Sequence, residues 1–115
     1  MAEVRERIEK IISDSPVVLF MKGTPQFPQC GFSGRIAQIL DYLGAPVVGV
    51  KFQTANVLED AELRDGIKAY SNWPTIPQLY IKGEFIGGAD ITTEMFQSGE
   101  LQTMLAEAGV PVKQA

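Results

Sequence analysis

The apolar residues of this chain recur with two different periods, and these periods predict alternating helices and strands. A first helix is indicated by four apolar residues at the spacing of one helix face, namely Val4, Ile8, Ile11 and Ile12. A Ser-Pro pair then ends this helix. Val17–Met21 follows as an unbroken run of branched, aromatic and other apolar residues, which is typical of a strand buried on both faces.

The middle of the chain continues the alternation. Apolar residues recur at helix spacing across residues 32–43, and Gly44 is expected to end this second helix. Residues 47–52 predict a second strand. Residues 59–70 predict a third helix, because acidic residues occupy the first turn and the apolar residues share one face.

The last part of the chain predicts a hairpin and a helical end. Two prolines exclude a helix from residues 72–77. Gln78–Ile81 and residues 84–86 predict a β-hairpin that turns at a Lys-Gly pair. Apolar residues across 91–105 predict one or two further helices, with a break at Gly99.

This order of elements predicts an α/β fold of the thioredoxin-like kind. A strand, a helix and a strand in succession make the first two strands parallel, and the hairpin adds antiparallel strands. The expected result is a central mixed four-stranded sheet with helices on both faces, formed by one domain over residues 1–115. Residues 109–115 are expected to form a flexible tail.

Composition and charge narrow the possible partners. The net charge is −4 and no stretch is strongly basic, which argues against nucleic acid or an anionic membrane as the main partner. Val17–Met21 is the longest apolar run and is too short to span a bilayer. Residues 1–7 mix both signs of charge and do not resemble a secretory signal. We expect a cytoplasmic protein, or one of an organellar matrix if a transit peptide was removed.

The chemistry of the chain centres on its single cysteine. Cys30 lies in the loop after the first strand, at the edge of the sheet where sites form in open α/β folds. A lone cysteine is often an inert packing residue. Here a helix begins just after it and Lys22 lies in the same loop, and both features favour the reactive thiolate.

Several chemistries are excluded by what the chain lacks. It contains one cysteine and no histidine, so a Cys-His protease has no base. Ser33 stands where a Cys-x-x-Cys dithiol would have its second cysteine. A zinc site within one chain would need about four nitrogen or sulfur ligands, and this chain offers only one, the cysteine. A lone thiol without a disulfide partner also fits a reducing compartment.

Four segments together resemble the monothiol glutaredoxins of the Cys-Gly-Phe-Ser class. The resemblance extends over about residues 4–109, and the short single-domain forms of bacteria and organelles are the most similar. The segments are Lys-Gly-Thr-Pro at 22–25, Cys-Gly-Phe-Ser at 30–33, Trp-Pro-Thr-Ile-Pro-Gln at 73–78 and Gly-Gly-Ala-Asp-Ile at 87–91.

The resemblance implies a role in iron–sulfur cluster biogenesis. Members of this class bind glutathione and hold a [2Fe–2S] cluster between two subunits, often with a BolA-type partner. For this chain it implies a cluster-bridged homodimer, with one thiolate from Cys30 of each chain and one from each of two glutathiones. The cluster would then pass to iron–sulfur acceptor proteins.

Two other functions stay open at the level of sequence. One is a glutathione-dependent oxidoreductase that works through a mixed disulfide at Cys30, for which this motif class implies slow turnover. The other is a regulatory module that senses iron or glutathione through a partner. Whether the protein is an enzyme is therefore left open.

The resemblance also implies which residues bind glutathione. Lys22 and Arg64 are implied to pair with the carboxylate at its glycine end. The Ile76-Pro77 bond is implied to be cis, which would turn the backbone of Ile76 toward the cysteine of glutathione. The side chains of Ile76 and Trp73 are expected to serve mainly in packing.

The remaining site residues follow the hairpin or flank the cysteine. Gly88 would let the backbone approach the ligand closely, and Ala89 and Asp90 would present the start of a helix to its γ-glutamyl carboxylate. We expect the Asp90 carboxylate both to cap that helix and to meet the ligand ammonium. Phe32 and Cys30 complete the glutathione-binding set, and Cys30 is also the catalytic and metal-ligating residue.

Two positions depart from the pattern of the class. Many members have a cysteine where this chain has Ala89, so Cys30 lacks that internal disulfide partner. Phe27 is bulkier and more apolar than expected in its loop, which suggests contact with a partner or a second subunit.

Overall fold

The structure is a computed structural model that describes residues 2–43 and 52–110. Within these residues the helices are α1 (Ala2–Asp14), α2 (Gly31–Leu43), α3 (Ala61–Ser71), α4 (Ala89–Ser98) and α5 (Glu100–Glu107). The strands of the same part are β1 (Val17–Met21), β2 (Phe52–Asn56), β3 (Gln78–Ile81) and β4 (Glu84–Gly87).

The strands form one mixed sheet in the order β2-β1-β3-β4. Strand β1 pairs in parallel with β2 and antiparallel with β3, and β3 pairs antiparallel with β4. The predicted thioredoxin-like α/β fold with a four-stranded mixed sheet is therefore confirmed. The central position of β1 explains why all five of its residues are buried and apolar.

Each face of the sheet is covered by its own hydrophobic core. Alternate residues of β1 point to opposite faces, so Val17, Leu19 and Met21 pack with α2, α4 and α5. Val18 and Phe20 pack on the other face with α1 and α3. Of the helix face predicted for α1, Val4, Ile8 and Ile12 are buried, and Ile11 is partly buried against them.

An ion pair joins the two helices of the second face. A guanidinium nitrogen of Arg7 lies 2.6 Å from a carboxylate oxygen of Asp60. The same carboxylate group caps α3 by accepting a hydrogen bond from the backbone N–H of Leu63 at 3.0 Å. The Arg7 guanidinium holds the pKa of Asp60 below its ordinary value, so the carboxylate stays charged.

The ends of several elements differ from the sequence expectation. The described part of the second strand is Phe52–Asn56, whereas residues 47–51 and Gly44 lie outside the described residues. The break at Gly99 is confirmed, and its φ of 86° separates α4 from α5. Val110 is fully buried and residues 111–115 lie outside the described part, so the packed chain extends just past Gly109. No helix of the described residues is long and apolar enough to cross a membrane.

Candidate functional site

The backbone of Lys22 is fixed at the carboxyl end of β1. Its N–H donates to the hydroxyl of Ser33 at 3.0 Å, and its carbonyl accepts from the N–H of Gln29 at 2.9 Å. The next N–H, that of Gly23, donates to Oδ1 of Asn56 at 3.0 Å. Side chains from α2 and β2 therefore hold the start of the loop that carries the cysteine.

The tip of this loop is a tight turn that presents an aromatic ring to solvent. The backbone groups of Thr24 and Phe27 bond each other in both directions at 3.3 and 3.1 Å. A Cβ at Gly23 would lie 2.5 Å from the carbonyl oxygen of Phe27, and Gly23 has a φ of 92°, so only glycine fits there. Phe27 is 75% exposed, and its expected contact with a partner stays a prediction.

Cys30 lies where the loop meets the first turn of α2. Its carbonyl accepts the N–H of Gly34 at 2.9 Å, so its side chain faces the free N–H groups of the helix start. The backbone N–H of Ser33 is the main cause that lowers the pKa of the Cys30 thiol. The backbone N–H of Phe32, the Ser33 hydroxyl and the Lys22 ammonium add to it, against an opposing effect of burial. Cys30 is only partly buried, so its sulfur is accessible.

Residues 73–77, which we call the wall segment, form one side of the site. The Ile76-Pro77 bond is cis, as the resemblance implied. The ring of Trp73 packs on Phe85 with 5.9 Å between ring centroids, and it also lines the cavity described below. Trp73 therefore packs as expected and in addition lines the cavity.

The start of α4 forms the opposite side. Gly88 is the N-cap residue and makes no side-chain cap, so the prediction that Asp90 caps this helix is wrong. The reason is register: the helix begins at Ala89, so Asp90 is its second residue and lies two positions past the N-cap position. A Cβ at Gly88 would lie 3.3 Å from the carbonyl oxygen of Pro77, so glycine allows the two sides to approach closely.

These sides enclose an open cavity of about 590 Å³ beside the sulfur. That volume lies within the range of small-molecule sites. Its lining consists of the predicted residues Lys22, Cys30, Phe32, Ile76, Pro77, Gly88, Ala89 and Asp90 together with Lys68, Trp73, Pro74, Thr75 and Ile91.

Arg64 is the one predicted glutathione-binding residue that does not line the cavity. Its Nε lies 3.8 Å from a carboxylate oxygen of Asp65 on the same helix. Lys68, one helical turn further along α3, lines the cavity instead. Lys68 is a site residue that the sequence does not predict, since a lysine on a helix surface carries no signal of its own. The role of Arg64 toward a ligand stays a prediction.

The charges of the cavity suit a small zwitterionic peptide. Lys22 and Lys68 supply two cations, while Asp90 supplies an exposed carboxylate next to the N–H groups at the start of α4. Among the described residues there is no group of three or more histidine, cysteine, aspartate or glutamate side chains that could hold a metal ion. A metal bound by the Cys30 thiolate would thus need ligands from other molecules.

Comparison with known proteins gives consistent matches. A family model described as glutaredoxin matches residues 17–86, more than half of the chain. The mitochondrial monothiol glutaredoxin-5 of Saccharomyces cerevisiae is 58% identical over 106 residues, which are 92% of this chain and 69% of that protein. The uncharacterized ycf64-like monothiol glutaredoxin of Synechocystis is 55% identical over 106 residues, which are 92% of this chain and 94% of that protein.

A solved structure with a bound ligand is also similar. The crystal structure of a buckwheat glutaredoxin–glutathione complex has a TM-score of 0.81 and 25% identity. The match covers 96% of this chain and 94% of that chain.

Proposed function

Because the chain belongs to the glutaredoxin family, we propose that it binds glutathione beside Cys30 and carries a [2Fe–2S] cluster between two copies of itself. The cluster is cargo that passes to iron–sulfur acceptor proteins. The observation that carries this proposal is one accessible cysteine sulfur that lines a peptide-sized cavity, in a chain with no other cysteine and no histidine.

The cavity offers a complement for each part of glutathione. Lys22 and Lys68 suit the carboxylate at the glycine end, and the backbone of Ile76, which also lines the cavity, is proposed to pair with the middle residue. The N–H groups at the start of α4 suit the γ-glutamyl carboxylate, and Asp90 suits the ammonium. The glutathione of the buckwheat complex supports this choice of ligand.

The count of thiolates then sets the assembly. A [2Fe–2S] cluster is held by four thiolates, and each chain has only Cys30 to give. Two chains and two glutathiones supply the four. Because half of the ligands are exchangeable small molecules, the cargo is released readily to an acceptor.

Partners would contact the exposed aromatic rings around the sulfur. Phe27 is 75% and Phe32 57% exposed, and both lie on the loop and helix turn that carry Cys30. Exposed aromatic rings are typical anchors of protein interfaces. We propose that the second subunit, a BolA-type protein or an acceptor uses this surface.

The relatives include a mitochondrial and a cyanobacterial protein, so both the cytoplasm and an organellar matrix fit as the location of this protein.

A second function is favoured by the lowered pKa of Cys30. The thiolate can attack a glutathione mixed disulfide on another molecule, which releases that molecule's thiolate and leaves glutathione bonded to Cys30. A second glutathione thiolate then attacks this bond, yielding glutathione disulfide and the free Cys30 thiolate. Overall the target's sulfur is reduced to a thiolate and the sulfur of the incoming glutathione is oxidised into the new disulfide, so the electrons balance.

Reconstitution separates the two functions. The apo protein is supplied with iron, sulfide and glutathione without oxygen, and its visible absorption is followed through gel filtration. The proposal expects a coloured dimer that requires both Cys30 and glutathione, whereas Cys30→Ser stays colourless and monomeric. A colourless wild type with brisk Cys30-dependent reduction of a glutathione mixed disulfide would favour the oxidoreductase instead.

A further inference from the structure

Gln78 has an unusual environment for an amide side chain. It is the first residue of β3 and is fully buried. Its Nε2 donates to the carbonyl oxygen of Trp73 at 3.2 Å and to that of Thr75 at 3.1 Å. A single amide thus holds two carbonyls of the wall segment against the sheet.

The orientation of this amide is determined by its partners. If it were turned over, Oε1 would face two carbonyl oxygens, and all three atoms are acceptors. In the observed orientation Oε1 is buried without a hydrogen-bond partner among the described residues. A buried unpaired acceptor is costly, so packing alone does not explain a glutamine here.

The wall segment depends on side-chain donors because of its composition. Two of its five residues are prolines, which lack an N–H. The N–H of Trp73 bonds back to the carbonyl of Lys68 at 3.2 Å and to the Ser71 hydroxyl at 3.1 Å, which fixes the start of the segment. Gln78 fixes the carbonyls of Trp73 and Thr75, immediately before Ile76, which lines the cavity.

We propose that Gln78 is a positioning residue for the glutathione site: its amide sets the place of the wall segment and thereby the affinity for the ligand. This inference rests on the proposed binding of glutathione. Gln78 touches no part of the cavity itself, since it is not among the lining residues.

The chain offers a matched control for the test. Gln102 is also buried, its Nε2 donates to the carbonyl of Phe96 at 3.3 Å, and its Oε1 likewise lacks a partner among the described residues. It joins α5 to α4 and does not line the cavity. Gln78→Met and Gln102→Met each replace a buried amide by an apolar side chain of similar length.

Two readouts are compared in the full-length protein. Trp73 is the only tryptophan and lies in the wall segment, so quenching of its fluorescence by acrylamide reports the segment directly. Calorimetry with glutathione reports the affinity. We expect Gln78→Met to increase quenching and to weaken binding about fivefold to tenfold, because two hydrogen bonds are lost. Gln102→Met is expected to change neither.

Equal effects of the two variants would overturn the proposal, because they would show general destabilisation only. No effect of Gln78→Met would overturn it as well. If wild type fails to bind glutathione, the proposed function fails, and the quenching comparison alone then decides whether Gln78 holds the segment.

If Gln78→Met fails to fold, the positioning role of Gln78 can be tested in the wild-type protein by NMR. The side-chain amide protons of Gln78 are expected to exchange with solvent slowly and to shift in NMR spectra when glutathione is added. Those of Gln102 should exchange slowly but not shift. An unshifted Gln78 amide in the saturated complex would overturn the proposal.

Discussion

The hydroxyl of Ser33 accepts a hydrogen bond from the backbone N–H of Lys22 at 3.0 Å, joining the first turn of α2 to the end of β1. Ser33 is fully buried, and its own backbone N–H also stabilises the Cys30 thiolate. The serine that replaces a second cysteine therefore has a structural role as well as making the site monothiol.

Removing this hydroxyl is expected to destabilise the fold. Ser33→Ala leaves the partly buried N–H of Lys22 without its acceptor, which costs about 1–3 kcal/mol in the free energy of unfolding. Urea denaturation measures this value. Ser13→Ala is the control, because the Ser13 hydroxyl is exposed on α1 and its loss should change the value little. Equal midpoints for both variants would contradict the assigned role of Ser33.

The reactivity of Cys30 should depend on pH in the manner of a lowered pKa. We expect the rate of alkylation of Cys30 by iodoacetamide to reach half its maximum at a pH below about 8.5, which is the pKa of a free cysteine. In urea the pH of the half-maximum is expected to return to about 8.5. Lys22→Gln should move the midpoint upward only slightly, since the N–H of Ser33 is the main cause. A folded-state midpoint at or above the urea value would contradict this assignment.

The same shift links protonation to stability. A thiol with a lower pKa in the folded state stabilises the fold at pH above the unfolded-state value, and this contribution is lost as the pH falls through the folded-state pKa. The free energy of unfolding of wild type should thus rise with pH up to about 8.5 relative to Cys30→Ser. A constant difference between the two proteins would show that the thiol titrates alike in both states.

The geometry of the cavity and the family resemblance assign the contact with the ligand carboxylate to different residues of α3, namely Lys68 and Arg64. Lys68 lines the cavity, whereas Arg64 lies near Asp65 outside it. Lys68→Gln is expected to weaken glutathione binding about threefold to fivefold, as befits a partly exposed ion pair, and the loss should shrink at high salt. Arg64→Gln should stay within about twofold. Calorimetry measures both affinities. A larger loss of affinity for Arg64→Gln than for Lys68→Gln would show that Arg64, and not Lys68, pairs with the ligand carboxylate.

Much of the fold can be predicted from local patterns in the sequence. The run at Val17–Met21 marks the central strand, because a strand buried on both faces needs only apolar residues. Gly99 marks the break between the last helices by its positive φ. The described part of β2 is harder to find, since Phe52–Asn56 is an edge strand rich in polar, half-buried residues that show no clear periodicity.

The site is predicted less completely than the fold. Phe32 fits the apolar pattern of α2 and yet is 57% exposed, because the first turn of that helix opens onto the cavity. Asp90 lies in the first turn of α4 as expected, but its capping role depends on the exact N-cap position, which is Gly88, two residues earlier. Lys68 enters the cavity only through the way α3 packs beside the wall segment, and no local sequence pattern reports a tertiary relationship of that kind.

Native mass spectrometry of the reconstituted protein gives the composition of the cluster-loaded assembly. We predict one dominant species that contains two chains, two glutathiones, two irons and two sulfides, and we expect the Cys30→Ser variant to form no such species. Iron and sulfide retained on a single chain, or on a dimer without glutathione, would contradict it.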